Sequence, residues 1–112
     1  MKIKKSVVYY YNGNIRYEKW HREDGEFYLH REDGPAIINY YESGEKQYEQ
    51  WWVNSKKHRI EGPAHINYYK DGTIWFEYYL INGEEMSKEE WEDHPIRQEY
   101  LIKEAMKEAL KE

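Results

Sequence analysis

Residues 30–55, HREDGPAIINYYESGEKQYEQWWVNS, realign with residues 58–83, HRIEGPAHINYYKDGTIWFEYYLING, at a constant offset of 28. Twelve positions are identical: His30/His58, Arg31/Arg59, Gly34/Gly62, Pro35/Pro63, Ala36/Ala64, Ile38/Ile66, Asn39/Asn67, Tyr40/Tyr68, Tyr41/Tyr69, Gly44/Gly72, Glu49/Glu77 and Asn54/Asn82. This is an internal repeat, and a repeat governs the fold before any single element does. A worn third copy lies upstream, where YYYNGNIRYEKW (9–20) matches YYESGEKQYEQW (40–51) at an offset of 31. The three extra residues fall between Trp20 and His30 and are expected in a loop.

Within each copy, a β-branched and aromatic run ends in Tyr-Asn-Gly (11–13), Glu-Ser-Gly (42–44) or Lys-Asp-Gly (70–72), and a second such run follows. Paired runs around a residue that tolerates positive φ predict one tight hairpin per unit. The HR-x-x-GPA connector then leads to the next hairpin: Gly34 and Gly62 supply conformational freedom, while Pro35 and Pro63 offer no donor to a ladder. The array is predicted to be an antiparallel β-meander of about three 28-residue hairpins. Strand alternation puts Val7, Tyr9, Ala36, Ile38, Tyr40, Ala64, Ile66 and Tyr68 on the core side. The repeated pairs Glu18/Trp20, Glu49/Trp51 and Glu77/Tyr79 are expected on a wetter face.

From residue 84 the period changes. Ser87 with Glu90 three residues later is a capping-box pattern for a short helix through Trp91. Pro95 opens a longer one, with Ile102, Ala105, Met106, Ala109 and Leu110 at helical spacing. The fold class is therefore mainly β with a C-terminal helix: hairpin repeats over 7–83 and a helical cap over 84–112, in one domain spanning 1–112. The stripe is expected to cover the sheet or the last hairpin, the alternative being a groove on a partner.

The composition fits this reading. Hydrophobic residues are 39% of the 112-residue chain, but 18% of it is aromatic, with 13 Tyr and 5 Trp beside 2 Phe. Such rings are expected to build much of the core. With 22 acidic and 17 basic residues the net charge is −5, which disfavours general nucleic-acid or anionic-membrane binding. The chain has no cysteine, so thiolate chemistry and Cys-based zinc sites are excluded and a cytoplasmic location is the expectation. No apolar run follows the lysines of residues 1–8, so neither a signal peptide nor a membrane anchor is expected.

HREDGPA (30–36), HRIEGPA (58–64) and the terminal YLINGEEMSKEEW (79–91) resemble the divergent type of MORN-like repeat protein. The resemblance spans about residues 7–92. It implies a β-hairpin array of the sort found in phages, large DNA viruses and toxin–immunity loci, whose role is to bind a partner. The Gly-rich Y-x-G-x-W spacing of the more familiar MORN consensus is missing here, so the membrane and phosphoinositide roles of that group do not transfer.

His21, His30, His58, His65 and His94 are the residues a metal or acid–base site would use. A His-Arg repeated in every unit beside Glu32, Asp33 or Glu61 instead reads as architecture, with arginine pairing acids and satisfying connector carbonyls. A catalytic centre needs unlike groups converging at one place, whereas Glu18, Glu49 and Glu77 are equivalent copies, and no P-loop, G-x-S-x-G or H-E-x-x-H occurs. The expectation is a non-enzymatic binding protein without cofactor or metal. An inhibitor, anti-defence or immunity module would present Glu18, Trp20, Tyr41, Glu49, Trp51, Tyr69, Trp75, Glu77 and Tyr79 to a protein partner. Two alternatives remain: a sponge for a small nucleotide, stacked on rings flanked by Arg16, Arg31 or Arg59, and a homo-oligomer joined through the strand edges of the end hairpins.

Overall fold

Three successive strand triplets follow from the repeat. The computed structural model describes residues 1–111. The first triplet is β1 (Ile3–Tyr9), β2 (Ile15–Arg22) and β3 (Gly25–Leu29). The second is β4 (Ile37–Tyr40), the consecutive β5 (Lys46–Gln50) and β6 (Trp52–Val53), and β7 (Lys56–Lys57); the third is β8 (His65–Tyr68), β9 (Ile74–Ile81) and β10 (Glu84–Met86). An eight-stranded antiparallel sheet runs in the order β1-β2-β4-β5-β8-β9-β10, with β3 also paired to β2, and β6 and β7 form a separate ribbon. Helices α1 (Lys88–Glu92) and α2 (Pro95–Leu110) close the described chain.

Each unit thus holds two hairpins where one was expected, because its middle segment runs on beyond the first hairpin into a second turn. Asn54 and Ser55 sit at φ 50° and 63°, and Asn82 and Gly83 at 50° and 83°. Positive φ at both central positions is what a two-residue primed turn demands. The first hairpins differ from expectation too. Tyr10, Tyr41 and Tyr69 bond across three-residue loops to Asn14, Glu45 and Thr73, and only Gly13, Gly44 and Gly72 take positive φ there. This is the bulged three-residue loop, and each shifts the register of its ladder beside the turn. The extra residues between Trp20 and His30 lengthen the second hairpin of the first triplet as β3.

Register decides which face is buried. Glu18 pairs with Ile38, Ile38 with Glu49, Glu49 with Ile66 and Ile66 with Glu77. Directly opposed residues point to the same face, so the glutamate row shares the buried face with the isoleucines and is not the wetter row. The spine of that face is Ala36, Ile38, Ala64 and Ile66, and Glu18 and Glu49 are buried among them. Leu29, Leu80 and Ile81 extend the core, and Trp91 is the one Phe, Trp or Tyr buried in it among the described residues. The remaining rings flank the spine half-buried or exposed, so the core is more aliphatic than the composition suggested.

The cap forms as its signals predict. Ser87 and Glu90 make the reciprocal capping box, His94 caps α2 through the Ile96 N–H and Pro95 occupies its first turn. Trp91 donates from Nε1 to the Arg59 carbonyl at 3.0 Å, Arg97 lies over the Trp91 ring at 4.1 Å, and its guanidinium donates to the Ile60 carbonyl at 2.6 Å. Beyond that anchor the expected covering does not occur: α2 contains no buried residue. Its stripe residues Ile102, Met106 and Leu110 are 61%, 62% and 85% exposed. Among the described residues no helix is long and apolar enough to cross a membrane.

Candidate binding surface

The repeat uses most of its chemical groups on itself. The Tyr40 hydroxyl donates to Glu18 and the Tyr68 hydroxyl to Glu49, each from the following unit. Lys5 completes the first site at 2.7 Å and Lys46 the second at 3.1 Å. Burial alone would raise the Glu18 pKa, but the hydrogen bonds from Lys5 and Tyr40 and the charge of Lys5 outweigh it and hold the carboxylate below its usual range. Burial first, and the adjoining glutamate second, push both tyrosines above theirs. Glu77 is the same position in the last unit, with no unit beyond it, and is exposed.

The aromatics divide in the same way. Arg31 stacks on Trp20 at 3.8 Å and Arg59 on Trp51 at 3.9 Å, and each guanidinium donates to the carbonyl of its connector proline, Pro35 or Pro63, at 3.1 Å. These arginines are therefore tied down within the connectors. Neither Gly34 nor Gly62 takes a positive φ. Their role is space: a Cβ on Gly34 would lie 2.7 Å from the Arg31 guanidinium carbon, and one on Gly62 3.0 Å from an Arg59 nitrogen. Tyr41 donates to the Tyr68 carbonyl at 2.8 Å, and Tyr79 packs on Trp91 with centroids 4.9 Å apart. Of the aromatic and acidic candidates, Tyr69, Trp75 and Glu77 stand exposed together at the last hairpin, with the two rings 5.8 Å apart.

All five histidines have local partners. Nδ1 of His30 accepts the Asn54 N–H and Nδ1 of His58 the Asn82 N–H, both at 2.9 Å, so each fixes the second hairpin turn of the following unit. His30 also lies 3.4 Å from Glu32. His21 bonds Ser6, His65 bonds Asn67 and Lys57, and His94 is a helix cap. Burial lowers the pKa of His58, and of His65 together with the charge on Lys57, while an Asn67 hydrogen bond partly offsets it at His65. Among the described residues no group of three acidic or histidine side chains is placed to hold a metal ion.

On the opposite sheet face an open groove of about 550 Å³ is lined by Tyr10, Arg16, Tyr17, Lys19, Phe27 and Tyr48, among others. Only Arg16 was singled out from the sequence. The remaining signal was present in the alternation of Tyr17 and Lys19 along β2, but Phe27 arrives through β3, a strand the repeat does not announce.

The fold defines the class: an antiparallel β-repeat sheet ended by helices. No family model, no curated protein and no solved structure matches the chain.

Proposed function

We propose that this is a non-enzymatic binding protein that occupies a site on a protein partner, in the manner of an inhibitor or immunity module, with α2 as its contact element. One observation carries the reading: a 16-residue helix is held out from the sheet with Leu101, Ile102, Met106 and Leu110 exposed along it. Ile102, Ala105, Met106, Ala109 and Leu110 follow the i, i+3, i+4, i+7 and i+8 spacing by which an amphipathic helix enters an apolar groove. A helix without tertiary packing is marginal in water. Here the His94 cap, the Arg97 anchor and ion pairs such as Glu99–Lys103 preorganise it, which lowers the ordering cost of binding. The MORN-like motif and the equivalence of the Glu18 and Glu49 sites support binding over turnover.

The test is affinity capture from lysate with the full chain, beside the variant Met106→Glu. A stoichiometric protein retained by the first and lost by the second supports the reading; no stoichiometric partner, or equal retention by both, overturns it.

The groove favours a second reading, a small anionic aromatic ligand such as a nucleotide, because Arg16 and Lys19 stand there among four rings. Calorimetric titration with a nucleotide panel tests it, and flat heats at high micromolar concentration would remove it.

A further inference from the structure

Both internal junctions of the sheet are built from the same ties. Between the first and second units, Tyr17, Glu18 and Lys19 pair with Asn39, Ile38 and Ile37. Tyr40 donates to Glu18, and Tyr10 donates to the Tyr40 carbonyl at 2.6 Å. Between the second and third, Tyr48, Glu49 and Gln50 pair with Asn67, Ile66 and His65. Tyr68 donates to Glu49, and Tyr41 donates to the Tyr68 carbonyl at 2.8 Å.

The third unit carries the first half of such a junction with nothing on it. Strand β10 pairs with β9 only at Tyr79, Leu80 and Ile81, which leaves the outer edge of residues 74–78 open. Tyr69, the counterpart of Tyr10 and Tyr41, is 50% exposed. Glu77, the counterpart of Glu18 and Glu49, is exposed and belongs to no ion pair among the described residues. The open stretch, Ile-Trp-Phe-Glu-Tyr, has a single charge and no proline or lysine, the devices that normally blunt a sheet edge.

The matching half is at the other end of the molecule. Val7 pairs with Glu18 inside the first unit as Ile38 pairs with Glu49 and Ile66 with Glu77, so Tyr9 is the counterpart of Tyr40 and Tyr68. It is 61% exposed, with its strand at the free edge of the sheet.

We propose that the chain associates head to tail with a second copy of itself, β1 of one continuing the sheet of the other beyond β9. The register is set by the internal junctions: Phe76 with Val8, Glu77 with Val7 and Tyr78 with Ser6 of the second copy. The Tyr9 hydroxyl of that copy donates to Glu77, and Tyr69 donates to its Tyr9 carbonyl. Helix α2 does not obstruct this, because Arg97 ties it to Ile60 and Tyr100 lies beside Trp51 and Arg59, over the connectors. Such a contact is heterologous, so each copy added presents a β1 edge and a β9 edge to the next.

The chain has no cysteine, which makes cross-linking clean. Ser6→Cys and Tyr78→Cys proteins are mixed under copper–phenanthroline, since directly opposed strand residues lie within disulfide reach. A covalent dimer is expected from the mixture and none from either protein alone. Sedimentation of the unmodified chain is expected to show mass rising with concentration. Tyr9→Phe or Glu77→Gln weakens association by about tenfold, the effect of losing a charge-assisted hydrogen bond, and Met106→Glu leaves it unchanged. A strict monomer at hundreds of micromolar overturns the proposal, as does a Tyr78→Cys homodimer, which would signify a two-fold edge contact. Loss of association in Met106→Glu also overturns it, by placing the contact on the helix. None of these outcomes depends on capture of a foreign partner.

Discussion

Tyr40 places its hydroxyl on the carboxylate of Glu18, 22 residues earlier in the chain, and this bond joins one unit of the sheet to the next. The carboxylate lies on the buried face directly opposite Ile38, where an acceptor without a donor carries a desolvation cost. Tyr40→Phe removes the donor and leaves the charge, so unfolding in urea should show a loss of about 2 kcal/mol, the usual scale for a hydrogen bond to a charged group. Tyr68→Phe should behave alike through Glu49. Adding Glu49→Leu to Tyr68→Phe should recover part of the loss, because the carboxylate oxygen left without its tyrosine donor is then gone.

Stability should fall at both ends of the pH range for separate reasons. Tyr40 and Tyr68 titrate above the ordinary value of 10.0 in the folded chain. Their contribution is therefore fully present below pH 10 and lost as pH rises through the folded values. His58 and His65 titrate below 6.5 when folded; their contribution is present above pH 6.5 and lost as pH falls through the folded values. Melting temperature followed across pH 5 to 11 should decline at both limits. Tyr40→Phe should flatten the alkaline limb and His58→Gln the acid limb.

Gly34 and Arg31 should show strong coupling. The Arg31 guanidinium is held by the Trp20 ring, the Pro35 carbonyl and Asp33, and it fills the space where a Gly34 Cβ would stand. Gly34→Ala should cost about 1–2 kcal/mol by displacing it, within the range for loss of a partly desolvated stacking contact and one hydrogen bond. In an Arg31→Ala background the same substitution should cost almost nothing. Additive losses in the double-mutant cycle would show that the glycine serves some other purpose.

The features legible in the sequence were those the repeat states locally. Strand pairs around Gly13, Gly44 and Gly72, the connector, and the Ser87 cap all follow from neighbouring residues. The burial of Glu18 and Glu49 was not legible, because the face they share with Ile38 and Ile66 is set by register between strands of different units. The second hairpin of the middle unit was hidden behind Asn54-Ser55, where positive φ on a serine has no propensity signal, whereas Asn82-Gly83 carries the Asn-Gly signal for the same turn in the last unit. The candidate surface suffered from the repeat's own symmetry: Tyr41 and Tyr69, or Glu49 and Glu77, read alike in sequence. They differ because an interior copy is covered by the next unit, whereas the last unit has no successor.

Helix α2 gives the sharpest separation between stability and binding. A stripe that packed on the sheet would make Ile102→Glu and Met106→Glu destabilising by several kcal/mol, through burial of an unpaired charge. Both side chains are more than half exposed and touch no core, so each substitution should leave the urea midpoint within about 0.5 kcal/mol of the parent, as surface changes do. The same substitutions should abolish capture of a partner. Trp91→Ala is the contrast: Trp91 is 4% exposed, donates to the Arg59 carbonyl and supports the Arg97 guanidinium. Its loss should cost about 3–5 kcal/mol, the range for truncating a core tryptophan. If Met106→Glu instead lowers stability as Trp91→Ala does, the stripe is packed in cis in solution, and α2 is a cap on the sheet with no apolar face left for a partner.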